Sequence, residues 1–288
     1  MSEQFFTLPV TKQISPSISQ SQIADLPLLV ITHPKGRAAI TLQGAHLVSW
    51  QPTGQKPVIW LSSETAFEPG VAIRGGVPVC WPWFGPAGKP SHGFARNLPW
   101  QLTAHSENDS VVNLTLTLKD SEETRKYWPH AFTLHAHFSF GDQCSIELES
   151  HGDFETTSAL HAYFEIGDIS EVKVEGLGQP YIDKVANGET ALLQGPLTFN
   201  GLTDRIFTDP EKESLIVDPV LKRTLSVKHQ GNSDVVSWNP GAENSASMKD
   251  MADDGYKTMV CVETAAISHS QISTAAAPAK LAIVFGIK

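Results

Sequence analysis

Short stretches of β-branched and aromatic residues recur along almost the whole chain, and little between them could form a helix long enough to join parallel strands. LLVIT (28–32), AAITLQ (38–43), HLVSWQ (46–51), SVVNLTLTL (110–118), FTLHAHFSF (132–140), CSIELES (144–150), VKVEG (172–176), SLIVD (214–218), TLSVKH (224–229), DVVSWNP (234–240), TMVCVETA (258–265) and LAIVFGI (281–287) all read as strands. Turn chemistry separates them: GDQ, GLGQP, NG and QGN. The longest helix-compatible patches, Ser121 to Trp128 and Ser247 to Gly255, are short. Parallel pairing requires a crossover of a dozen or more residues, so short turns imply antiparallel sheets. With 288 residues and no linker, low-complexity tract or internal repeat, residues 1–288 are expected to form one all-β domain, a large antiparallel sandwich with few short helices.

Charge narrows the partners. With 21 basic against 31 acidic residues, net charge -10, the average surface repels a phosphate-rich polymer and argues against nucleic acid. The three cysteines, Cys80, Cys144 and Cys261, are scattered and odd in number, without a CxxC pair, and read as buried thiols in a reducing compartment. The opening MSEQFFTLPVTKQ lacks a basic start followed by an apolar run, and no apolar stretch reaches the ~18 residues of a membrane span. A cytoplasmic location, with no membrane partner, is the expectation.

The charge is unevenly spread. No acidic residue lies between Glu68 and Glu107, where average composition would place about four, while Arg74, Lys89, His92, Arg96 and His105 all fall in that gap. A positive surface built into a negative protein suits a small anion. In IRGGVPVCWPWFGPAGKPSHGFARNLPW, Gly75 and Gly76 permit close approach, Trp81, Trp83, Phe84 and Phe94 offer flat faces, and prolines stiffen the path. One reading is an aromatic-walled cleft whose guanidinium forks hold a sugar phosphate. The other is a proline-rich loop pinned by its own aromatics, with its arginines paired to distant carboxylates.

Two polar residues interrupt apolar strands, His161 in ALHAYFEIG and Glu263 in VCVETAAI. A lone strand histidine is ordinarily a hydrogen-bonded structural residue, and a lone glutamate ordinarily faces water. The alternative is that the two form a general acid and a general base.

RGGVPVCWPWFGP, HGFAR, LHAYF and VCVETA, in that order and spacing, resemble the aldose 1-epimerase (galactose mutarotase-like) superfamily, and within it the branch acting on hexose 6-phosphates. The resemblance extends from QGAHLVSW, beginning at Gln43, to the final strand. It implies a β-supersandwich with the site on the concave face of a large sheet. It also implies cofactor-independent interconversion of α and β anomers, with no metal. Carried over by motif, Glu263 resembles the catalytic base, His161 the catalytic acid and His92 the supporting histidine. Arg74 and Arg96 match phosphate contacts, Lys89 is a looser phosphate candidate, and Asp204 in GLTDRIF falls where the superfamily grips sugar hydroxyls. The implied acid role requires His161 to be protonated near neutral pH, with Glu263 holding it so. On an extended strand His92 and Arg96 would share a face ~13 Å apart, serving the ring and phosphate ends of one ligand, and a bend at Gly93 would shorten that reach.

The implied partner is a small hexose 6-phosphate, glucose 6-phosphate foremost, bound by a monomer or weak homodimer. Two rivals stand beside it: a mutarotase of unphosphorylated hexoses, which the acid-free basic window opposes, and a non-catalytic carbohydrate-binding protein, which has no use for a buried acid and base.

Overall fold

The computed structural model describes residues 2–288. Each segment read above as a strand contains one. Strands pair antiparallel into a five-stranded sheet, built as a simple meander over residues 12–52, and two eight-stranded sheets. The all-β expectation therefore holds, and so does the antiparallel order.

The two larger sheets pack face to face. Leu114, Leu116, Phe138, Ile146, Ile283 and Phe285 of one meet Leu160, Phe164, Phe207, Val235, Val260 and Val262 of the other in a single core. Trp50 and Phe164 each set an edge or face against Phe285 at 5.4 Å. The five-stranded sheet contributes Leu29, Ile31, Ile40 and Leu47 to the same core, while its other face is covered by Phe5 and the N-terminal turn.

The second large sheet runs in spatial order Glu189–Ala191, Tyr181–Asp183, Thr203–Phe207, Asp234–Asn239, Met259–Ser273, Phe154–Leu160, Val79–Cys80, and Tyr163–Glu165 also pairs with Met259–Ser273. Period-2 alternation along Met259–Ser273 sends Val260, Val262 and Ala266 into the core and Met259, Cys261, Glu263 and Ala265 to the opposite face. Glu263 pairs in register with Val236 on one side. On the other, Leu160 pairs with Thr264 and Tyr163 with Cys261. His161 and Ala162 bridge the break between those two short strands, at the level of Glu263.

The helical expectations are met in one place only. Glu122–Tyr127 is an α-helix, closed at its start by a reciprocal Ser121–Thr124 capping box. Ser247 to Gly255 is not a helix: an α-helix, Gly241–Ser247, ends where that patch begins, and a 3-10 turn, Gly255–Thr258, follows it. Tertiary contacts override local propensity there, since Met251 is buried against Trp60 and Asp250 turns toward Arg74. Among the described residues no helix is long and apolar enough to cross a membrane.

Candidate active site

On the face of the second sheet turned away from the core lies a cleft of about 570 Å³. Its floor is strand residues Glu263, His161, Val236, Ile206 and Asp204, and its walls are Tyr163, Trp238 and Met248 on one side and the loop Phe84–Ala87 with His92 on another. Arg74, Lys184 and Ile267 complete the lining. Of the seven residues singled out in the sequence, Arg74, His92, His161, Asp204 and Glu263 face this cleft although they lie up to 189 positions apart (263 minus 74).

At its centre His161 Nε2 lies 3.3 Å from Glu263 Oε1, and Glu263 is 1% exposed. Glu263 Oε2 is buried without a protein hydrogen-bond partner, as is His161 Nδ1. A buried carboxylate oxygen left unmatched is costly unless a ligand's hydroxyl is meant to meet it. Burial pushes Glu263 well above the ordinary carboxylate range, helped by the nearby Asp204 charge. Burial, then His92, Arg96 and Arg74, push His161 well below the ordinary imidazole range. The expectation that Glu263 holds His161 protonated therefore does not describe the empty cleft, where low polarity favours the neutral carboxyl and neutral imidazole. The pair still carries one proton.

His92 sits 5.7 Å from His161, ring edge to face. It adopts a left-handed backbone, φ 63°, followed by Gly93 at φ 74°. A Cβ on Gly93 would fall 1.9 Å from the Trp81 carbonyl oxygen, so only glycine lets the chain double back there. The Gly85 N–H donates to His92 Nδ1, which makes Nδ1 the acceptor and leaves the ring proton on Nε2. Burial, with Arg96 and Arg74, pushes His92 down to about 4, so it is a neutral donor.

HGFAR is not extended. Residues 92–97 turn and enter a 3-10 helix, Ala95–Asn97. Arg96 donates to the Ser91 carbonyl and does not line the cleft, although its charge reaches both His92 and His161; Lys89 does not line it either. The aromatics also divide differently from the sequence reading. Trp81 and Phe94 are core residues, Trp83 packs against that core and donates Nε1–H to the Pro90 carbonyl, and only Phe84 of the four lines the cleft. For those three the pinned-loop reading describes the outcome.

Arg74 combines both sequence readings. It lines the cleft, yet its Nε and Nη2 each lie 3.0 Å from Asp250 Oδ2 and its Nη1 donates to the Tyr163 hydroxyl at 3.1 Å. Its backbone N–H donates to Thr65 Oγ1 and its carbonyl accepts from the Ser62 N–H, while the next carbonyl, that of Gly75, accepts at 2.7 Å from Nε2–H of His46, which burial pushes down to about 4. Asp204 is raised by burial and lowered by Lys184, whose backbone N–H donates to the Asp204 carbonyl. Lys184, Tyr163 and Trp238 escaped the sequence reading. Lys184 follows Asp183 at a strand end, where a lysine ordinarily signals only a solvated surface.

A buried histidine and glutamate thus lie together on the open face of a β-supersandwich, ringed by a second histidine, an arginine and an aspartate. A family model for aldose 1-epimerase matches residues 27–277, and the chain belongs to that family of isomerases. Proteins from Escherichia coli K12 and Salmonella typhimurium, both provisionally named glucose-6-phosphate 1-epimerase, are 56% and 55% identical over 286 residues, covering 98% of this chain and 97% of theirs. A crystal structure of the Salmonella typhimurium protein YeaD, provisionally described as a mutarotase, superposes with a TM-score of 0.98 at 54% identity, covering 100% of this chain and 99% of that one.

Proposed function

We propose that the protein interconverts the α and β anomers of hexose 6-phosphates, glucose 6-phosphate foremost, with Glu263 as base and His161 as acid. The observation that carries this reading is the 3.3 Å approach of His161 Nε2 to Glu263 Oε1 at the floor of the cleft. The anomeric hydroxyl and the ring oxygen are bonded to the same carbon, so an acid and a base this close address both at once.

Glu263 as carboxylate takes the proton of the anomeric O–H. The carbon–oxygen bond of the ring breaks, its electron pair goes to the ring oxygen, and His161 as imidazolium protonates that oxygen. The products are an open-chain aldehyde, a neutral Glu263 carboxyl and a neutral imidazole. Rotation about the bond between the first two carbons presents the other face of the aldehyde. His161 then takes the proton back from the hydroxyl as it attacks the carbonyl carbon, and Glu263 protonates the former aldehyde oxygen. The single proton shared by the pair moves from one group to the other and returns, and the neutral arrangement favoured in the empty cleft is the state that accompanies the aldehyde. The residues need no metal or nucleotide to balance this cycle.

In this reading His92 donates Nε2–H to a sugar oxygen and Asp204 accepts from hydroxyls. The phosphate lies toward Arg74, within the positive field of Arg96, and Lys89, like Arg96, is outside the cleft lining. Phosphate neutralises part of the charge that suppresses protonation of His161, so the anionic end of the substrate assists the chemistry as well as binding. Exchange NMR on glucose 6-phosphate measures the rate of anomerisation directly. The wild-type protein should accelerate it and Glu263→Gln should not; equal rates for the two proteins would reject Glu263 as the base.

A further inference from the structure

Catalytic histidines are ordinarily oriented by a hydrogen bond on the second ring nitrogen. No other described residue gives His161 such a partner: its Nδ1 is buried and has at most a contact with its own backbone. Its imidazole is instead held between rings. The Tyr163 ring stacks on it at 4.8 Å and 10°, while the edges of His92 and Trp238 close two further sides at 5.7 and 6.2 Å.

Tyr163 is itself fixed on every side. Trp60 stacks on it at 5.9 Å and 18°, and Trp60 is anchored by Nε1–H donated to Thr258 Oγ1. The Tyr163 N–H donates to the Gly76 carbonyl at 2.9 Å, and its hydroxyl accepts from Arg74, which Asp250 holds in turn. Side-chain torsions of histidine are soft about the ring bond, and a flat neighbour at stacking distance restricts them as a hydrogen bond would.

We propose that Tyr163 is a positioning residue for His161: its ring fixes the imidazole plane so that Nε2 stays on Glu263 and the anomeric centre. Arg74 and Asp250 hold the phenol in register. This rests on the reading of His161 and Glu263 as the acid–base pair. Removing the flat face should lower kcat about 10²-fold, the scale of a misplacement near 1 Å, while KM changes little. Because an electron-rich face favours the imidazolium over the neutral ring, the limb of the pH–rate profile belonging to His161 should also move to lower pH.

The test compares wild type with Tyr163→Phe, Tyr163→Leu and Tyr163→Met by exchange NMR on glucose 6-phosphate across pH, with circular dichroism to establish folding. Met fills the site without a flat face and serves if Leu does not fold. Phe, which keeps the flat face and loses only the bond to Arg74, should lose far less kcat than Leu or Met and keep the wild-type acid limb, while Leu and Met should lose kcat with a displaced acid limb. Wild-type kcat and pH profile in Leu or Met would overturn the proposal, and so would an equal loss in Phe, which would assign the role to the hydroxyl. A wild-type protein that fails to accelerate anomerisation would instead overturn the underlying functional reading.

Discussion

Among the described residues histidine meets glutamate on a face of each large sheet, once in the cleft and in a cluster around Glu149 on the other sheet, and the two surroundings differ. His161 and Glu263 meet on the cleft face of one sheet with side-chain exposures of 12% and 1%. On the outward face of the other, His151 meets Glu149, Thr115 and Thr117 hold His137 and His135, and Lys280 reaches both Glu147 and Glu149. Glu149 and His151 share a face because they stand two apart on the one strand Cys144–His151, whereas Glu263 meets a histidine from the break between two neighbouring strands. What sets their chemistry apart is solvent: burial raises Glu263 and lowers His161, whereas Lys280, then His151, lower the Glu149 carboxyl. One pair is poised to trade a proton, while the other is an ordinary ion-paired surface.

The sharpest way to break the comparison is to remove each carboxylate in turn. Glu263→Gln should cost about 10²–10⁴-fold in kcat, the usual contribution of one positioned base, while Glu149→Gln should leave kcat within experimental error. Equal behaviour in the exchange assay would mean that burial does not separate the pairs. The pH–rate profile sharpens the same point. Activity requires one proton on the His161–Glu263 pair. A second proton enters only as pH falls through the lowered His161 pKa, and the first leaves only as pH rises through the raised Glu263 pKa. The expected profile has an acid limb that belongs to His161, well below the ordinary imidazole range, and an alkaline limb that belongs to Glu263, well above the ordinary carboxylate range. A narrow bell between those ordinary values would count against the shifts.

Both pairs lie in strands that the sequence displayed, and the contrast explains what was legible there. Alternation in FTLHAHFSF, CSIELES and TMVCVETA names the residues that share a face, because side chains change face at every step. It does not say which face meets water and which lines a cavity; that depends on how three sheets stack. Glu263 and His161 stood out as polar interruptions of apolar strands, which His137 and Glu149 in their alternating strands are not, and the motif resemblance then gave them roles. The aromatics of WPWF misled for a related reason, since a flat ring suits a core as well as a sugar wall. Trp81 took the core, with Phe94, Trp128, Phe132 and Phe154 around it. Gly93 announced a bend in HGFAR, but nothing local announced that His92 itself adopts the left-handed backbone or that Arg96 lies outside the cleft lining.

Arg96 offers an intermediate test. If it supports phosphate through field or direct contact, Arg96→Ala should weaken kcat/KM for glucose 6-phosphate about 10-fold or more, the scale of a hydrogen bond to a charged group, and alter turnover of free glucose far less. Equal losses would assign Arg96 to holding the His92 loop through Ser91.

The smallest effects belong to stability. His229, buried between the large sheets and bonded to Ser214 and Thr264, is pushed down to about 4 by burial. Its folded pKa lies below the unfolded value near 6.5, so its contribution is complete above about pH 6.5. It is lost as pH falls toward 4, at up to about 1.4 kcal/mol per pH unit. In denaturant titrations between pH 7 and 4.5 the wild type should lose stability with the summed slope of the histidines that burial pushes down to about 4, His46, His92 and His229, and His229→Gln should lose it less steeply, by up to about 1.4 kcal/mol per pH unit. Glu149 has the same sign and a smaller size. Its depressed pKa means that the ion pair with Lys280 and the hydrogen bond with His151 contribute at neutral pH and vanish once the carboxyl protonates, below the usual carboxylate range. Being half-exposed and screened by salt, they should make Glu149→Gln only ~0.2–1 kcal/mol less stable at pH 7 in low salt, with the difference disappearing at pH 3 or in 1 M salt. A difference that survives both conditions would mean that Glu149 stabilises the sheet by packing rather than charge, and the outward pair would then resemble the cleft pair more than its exposure suggests.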